Sequence, residues 1–91
     1  MKLRWTHKGL SDLTRLHEFL AAADPKAAAR SIQTLTAAIG QLPRHPRLGT
    51  KLDQYTAREV RRMITGQYEI RYELLQTTIT VLRLWHTREE R

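Results

Sequence analysis

Cysteine is absent from this chain of 91 residues, which removes disulfide staples, thiolate nucleophiles and cysteine-ligated zinc at once. Stability must come from a hydrophobic core or from a bound partner. A chain of 91 residues suffices for one modest core and not for two, so a single domain spanning 1–91 is expected. No run of about eighteen apolar residues occurs, and the opening Met1-Lys2-Leu3-Arg4-Trp5-Thr6 lacks the apolar stretch of a signal peptide. A cytoplasmic location with no membrane contact is the expectation. Glycine-rich phosphate loops are missing, and His7, His17, His45 and His86 share no metal-ligand spacing, so neither a metal nor any other cofactor is expected.

Acid is the remaining shortage: 9 Asp+Glu against 16 Lys+Arg leave a net charge of +7. Such a field draws in acidic partners, whether nucleic acid, an RNA-rich assembly or a protein with an acidic segment. Arginine outnumbers lysine, which favours forked hydrogen bonding to carboxylate or phosphate over diffuse attraction.

The few prolines and glycines mark the element breaks. Leu3–Trp5 is a short strand candidate, and Thr6 stands at the N-cap of a helix over 7–23 whose apolar face is Leu10, Leu13, Leu16 and Leu20, widened by Phe19 and Ala23. Asp24-Pro25 supplies a second N-cap with proline at the first helical position. The helix it opens repeats Ala28, Ile32, Leu35, Ile39 and Leu42 at spacings of four and three, and Pro43 and Pro46 end it. So short a break makes an antiparallel helical hairpin. Residues 43–57 are a long basic connection without periodicity and join the candidate binding elements.

From Arg58 the period becomes two. Tyr68, Ile70, Tyr72 and Leu74 alternate with Glu69, Arg71 and Glu73, after a tight turn at Gly66-Gln67 and before another at Gln76-Thr77. Ile79–Trp85 is apolar on both faces apart from Arg83, as for a central strand covered on both sides. The fold class is therefore α+β in the order β-α-α-β-β-β, a helical hairpin on a mainly antiparallel sheet.

His17 and His45 read as surface residues, and Arg15, Arg30 and Arg44 as a solvated charged face. His86 ends the last strand, where its side chain would leave the sheet at the rim beside Arg88. A metal-free ribonuclease needs a base, a cation for the phosphorane and an acid. His86, with Arg61 or Arg88 and with Lys51 or Tyr68, supplies those residue types. The bland alternative is that Arg61 pairs with Glu59 or Glu73 and His86 merely closes the strand. Trp5 and Trp85 are expected in the core, near each other across the first and last strands.

The chain resembles the toxins of the ParE/RelE superfamily from type II toxin–antitoxin modules, and the ParE branch most. The resemblance runs through Trp5-Thr6 with Leu10, Asp12 and Leu13, Asp24-Pro25 with Ala27-Ala28, and Leu42-Pro43 through Pro46 and Leu48-Gly49. It continues in Arg61 with Gly66, Tyr68, Ile70 and Tyr72, and in Leu82-Arg83-Leu84-Trp85-His86 with Arg88. It implies a growth-inhibiting toxin that poisons DNA gyrase and is neutralised by a cognate antitoxin in a hetero-oligomer. The alternative it implies is a RelE-like endoribonuclease cutting mRNA on the ribosome with His86, Arg61 and Arg88. Nuclease members usually carry a basic residue after the hairpin tyrosine, where Glu69 stands here. The expected toxicity surface is Arg61, Arg83, His86 and Arg88, all taken as exposed. The expected antitoxin contacts are Leu13, Leu16 and Leu20 on the first helix with Arg61, Arg71 and Arg83 on the sheet.

Overall fold

The computed structural model describes residues 1–89. β1 (Lys2–Trp5) leads into α1 (His7–Ala21) and α2 (Pro25–Gly40), followed by β2 (Thr50–Lys51), β3 (Glu59–Thr65), β4 (Tyr68–Leu75) and β5 (Thr78–His86). The sheet order is β1-β5-β4-β3-β2. β1 runs parallel to β5, and every other pair is antiparallel.

Both helix starts follow from their caps. Thr6 Oγ1 accepts the Gly9 N–H at 2.9 Å and donates to the Leu82 carbonyl at 2.9 Å, so the residue that starts α1 also fastens it to β5. Gly9 is required there, because a Cβ would lie 2.9 Å from the Val81 carbonyl oxygen. Asp24 Oδ1 accepts from the N–H groups of Lys26 and Ala27, both at 3.1 Å. α1 stops at Ala21, short of the expected 23, where Ala23 and Asp24 both turn their N–H groups back to the Leu20 carbonyl.

The helical hairpin covers one face of the sheet. Leu16, Leu35, Ile39 and Leu42 meet Met63, Ile70, Tyr72, Leu74, Ile79, Val81 and Leu84 in one core. Gly66 takes a positive φ of 56° in the β3–β4 turn, the conformation glycine adopts without strain. Gln76 holds φ 55° in the β4–β5 turn with no such excuse.

Three expectations need correction. A short strand, β2, lies within the aperiodic 43–57 connection, pairing Thr50 and Lys51 with Arg62 and Arg61. That segment is pinned down as well: the buried Tyr72 hydroxyl donates to the Pro46 carbonyl at 2.7 Å and accepts the Gly49 N–H at 2.9 Å. Next, β5 is not covered on both sides. A register shift opposite Arg71/Tyr72 makes Leu82 the extra residue, so Val81 and Leu84 both face the core while Leu82, Arg83 and Trp85 stay half-buried. Finally, Trp5 packs against the core but Trp85 does not belong to it. Trp5 sits opposite Val81, roughly 13 Å along β5 from Trp85, so the two indoles do not meet.

Candidate functional site

β1 pairs with β5 only as far as Val81, beyond which that edge of β5 would expose its backbone. α1 takes over there with side chains. The buried Asp12 carboxylate accepts the Leu84 N–H at 2.9 Å, and Arg15 Nη2 donates to the Leu84 carbonyl at 3.1 Å, reproducing what a neighbouring strand would give. Asp12 also accepts from Arg15 Nη1 at 2.9 Å and from Arg83 Nε at 2.7 Å and Nη2 at 3.2 Å. Arg15 reaches on to Glu89 with Nε at 3.0 Å and Nη2 at 3.1 Å, and Glu89 Oε1 accepts the His86 N–H at 2.8 Å. Arg15 is therefore a structural clasp rather than part of a solvated face. The bond to Asp12 raises the affinity of the Arg83 guanidinium for its proton.

Arg83 belongs to a groove of about 510 Å³ on the sheet face turned away from the helices, lined by His7, Lys8, Tyr55, Arg58, Arg71, Leu82, Arg83 and Trp85 with Thr6 at its end. The Arg71 and Arg83 guanidinium carbons lie 5.0 Å and 5.1 Å from the centre of the Trp85 ring, and Arg58 lies 5.7 Å from that of Tyr55. Carboxylates complete the array. Glu73 binds Arg58 through two bonds of 2.8 Å and 3.0 Å, an interaction that lowers the Glu73 pKa and raises that of Arg58. Arg71 meets Glu69 at 3.3 Å and the Tyr55 hydroxyl at 3.5 Å, and its Nε is buried with no hydrogen-bond partner. Sequence reading nominated Arg71 and Arg83 together as antitoxin contacts but missed Tyr55, Arg58 and Trp85 as their neighbours.

The remaining nominated residues fall in two places, with His86, Tyr68 and Arg88 at one end of the sheet and Arg61 on β3. His86 is 5% exposed, packed edge-on against Tyr68 with 5.3 Å between ring centres and against Phe19 at 5.8 Å. It does not project from the rim, because the bulge in β5 turns it to the helix side. Its Nδ1 accepts the Arg88 N–H at 3.1 Å, which places the proton of the neutral ring on Nε2. The Arg61 side chain is 15% exposed, bound to Glu59 at 2.8 Å and to the Gly49 carbonyl at 2.7 Å. Arg61 thus meets one of its two anticipated carboxylates, and that contact leads the forces holding the Glu59 pKa down. Arg61 stands opposite Tyr72 and His86 opposite Tyr68, which sets their backbones roughly 16 Å apart across two strand spacings. Arg61 and His86 are therefore not brought together, whereas Tyr68 and Arg88 stand beside His86, and His86 and Arg88 line one shallow pocket with Phe19 and Leu20. Arg88 is exposed, as are Lys51, His17 and His45.

On α1, Leu16 is fully buried in the core and unavailable to a partner in the folded chain, whereas Leu13 and Leu20 are half-buried. The apolar side chains α1 does offer are Leu10 and Phe19, 51% and 53% exposed. Among the described residues no group of three or more His, Cys, Asp or Glu side chains is arranged to hold a metal ion, and no helix is long and apolar enough to cross a membrane.

Residues 3–91 match the family described as the ParE toxin of the type II toxin–antitoxin system parDE. The chain is 40% identical over 82 residues to Toxin RelE1 of Caulobacter vibrioides, covering 88% of this chain and 86% of that protein. It is 30% identical over 82 residues to Toxin RelE2 of the same organism, covering 90% of each. Among solved structures, a chain of the chromosomal ParDE TA system from P. aeruginosa superposes with a TM-score of 0.80 at 19% identity, covering 94% of this chain and 95% of that one.

Proposed function

Because this chain belongs to the ParE toxin family of type II toxin–antitoxin systems, we propose that it arrests growth by binding and poisoning DNA gyrase, and that a cognate antitoxin neutralises it. The observation that carries the binding reading over bond chemistry is the burial of His86 and its separation from Arg61. The His86 imidazole is buried with its Nδ1 occupied by a backbone N–H, and its backbone stands roughly 16 Å from that of Arg61, a poor arrangement for a base and a cation meant to share one phosphate.

The target surface is the arginine groove, with Arg83, Arg71 and Arg58 in preference to Arg61 and His86, and with the exposed Arg88 at its own end of β5. Guanidiniums held by carboxylates and rings are already oriented, so a partner need not order them. The antitoxin is an acidic segment that folds on binding, placing apolar side chains on Leu10, Leu13, Phe19 and Leu20 of α1 and carboxylates near Arg71 and Arg83. A toxin–antitoxin hetero-oligomer follows.

One observation favours the second reading, mRNA cleavage on the ribosome: His7 lines the same groove as Arg58, Arg71 and Arg83, a base within an arginine array. Expression of the chain followed by mapping of message ends and plasmid topology separates the two. The gyrase reading expects relaxed plasmid and trapped DNA breaks. Codon-phased cuts in message with supercoiling intact would overturn it.

A further inference from the structure

Resting on the gyrase reading, we infer that the arginine groove binds single-stranded DNA, so that this toxin touches the nucleic acid held by its target as well as the target protein. Arg58, Arg71, Arg83 and Lys8 line the groove, and the N-terminus of α1, which has no acidic residue in its first turn, opens on the same space through His7 and Lys8.

The donor geometry suits phosphate. Arg58 and Arg83 bind their carboxylates through Nε and Nη2, which leaves Nη1 of each outside those bonds. Arg71 Nε is buried without a partner and is closed to a ligand, so Arg71 contributes charge and its guanidinium plane rather than that N–H. A phosphodiester brings acceptor oxygens to the two Nη1 donors, and its attached base brings a flat face to the rings and guanidinium planes of Tyr55, Arg58 and Arg71. A peptide carboxylate offers the oxygens but no such face. At about 510 Å³ the groove has the size of a small-ligand site, room for one or two nucleotides of a single strand. Because Asp12, Glu69 and Glu73 balance most of the local charge, the attraction is short-ranged and the salt dependence shallow, corresponding to about two or three phosphates.

Fluorescence anisotropy of a labelled oligothymidylate of about twelve nucleotides, titrated with the full chain, tests this directly. Binding is expected, weakening about tenfold between roughly 50 and 200 mM salt. Arg58→Ala and Tyr55→Ala, neither of them a core residue, should each weaken it about fivefold or more with an unchanged circular dichroism spectrum, while Arg88→Ala, outside the groove, should change it less than about twofold. No binding, preference for the matching duplex, tighter binding of oligouridylate, or indifference to both groove variants would overturn the inference. Gyrase inhibition without oligothymidylate binding would defeat it and leave the gyrase reading standing. Binding without gyrase inhibition would defeat that reading instead.

Discussion

Replacing Asp12 should cost this protein more than replacing either arginine that it binds. Asp12 is 4% exposed, and its carboxylate accepts the buried Leu84 N–H as well as Arg15 and Arg83. Asp12→Ala strands that N–H, at about 1–3 kcal/mol. The arginine bonds count for less, because the Arg15 and Arg83 side chains are 38% and 37% exposed and rehydrate when released, at about 0.5–1 kcal/mol each after screening by water. Alanine recovers at most about 0.5 kcal/mol through its helix propensity. The expected loss is about 2–4 kcal/mol, or a fall in Tm of roughly 10–20 °C for a domain of this size. Arg83→Ala, which leaves Leu84 bonded, should cost about 1 kcal/mol or less. Asp12→Asn keeps one acceptor for the Leu84 N–H and should recover about half of the alanine loss. Urea denaturation of the three variants measures this. A cost for Asp12→Ala below about 1 kcal/mol, or below that of Arg83→Ala, would refute the idea that α1 closes the edge of β5.

Further outcomes follow from the same geometry. His86→Ala should lower stability by about 1–3 kcal/mol, since it empties a buried ring site between Phe19 and Tyr68; growth arrest lost with an unchanged urea midpoint would contradict this and restore His86 to the active surface. Tyr72→Phe should cost about 1–3 kcal/mol by stranding the Pro46 carbonyl and Gly49 N–H, and should open residues 43–58 to limited proteolysis before the rest of the chain. Glu59 and Glu73 titrate lower in the folded chain because Arg61 and Arg58 hold their charged forms. The unfolded chain therefore binds protons first on acidification, and stability present at neutral pH should decline below about pH 5, less so in high salt. A thermal midpoint flat down to about pH 3 would remove these pairs from the account.

The helical hairpin was legible because its signals are local. Thr6, Asp24 and Pro25 act on neighbours within a few residues, and the apolar stripes need only a 3.6-residue period. Gly66 and the Tyr68–Leu74 alternation were legible for the same reason. What escaped depends on tertiary placement. Nothing near Asp12 and Arg15 shows that β1 will end opposite Val81 and leave β5 needing side-chain partners. The irregularity at Leu82 has no residue signature in an apolar run, yet it decides that Arg83 and Trp85 face a groove while His86 turns inward. Leu16 was read correctly as apolar-face and wrongly as contactable, since periodicity finds a stripe but not which part of it the sheet covers. The groove itself draws Tyr55 from a segment with no period, Arg58 from just before β3, Arg71 from β4 and Trp85 from β5, so only the folded sheet brings them together.

Gyrase supercoiling measured against increasing purified toxin tests the central claim most directly, with Arg83→Ala and an acidic antitoxin segment as comparisons. The account predicts that supercoiling is lost at near-stoichiometric toxin, that cleaved DNA accumulates, and that Arg83→Ala weakens the effect while retaining the fold. Supercoiling unaffected by excess folded toxin, with messenger RNA cut instead, would contradict it.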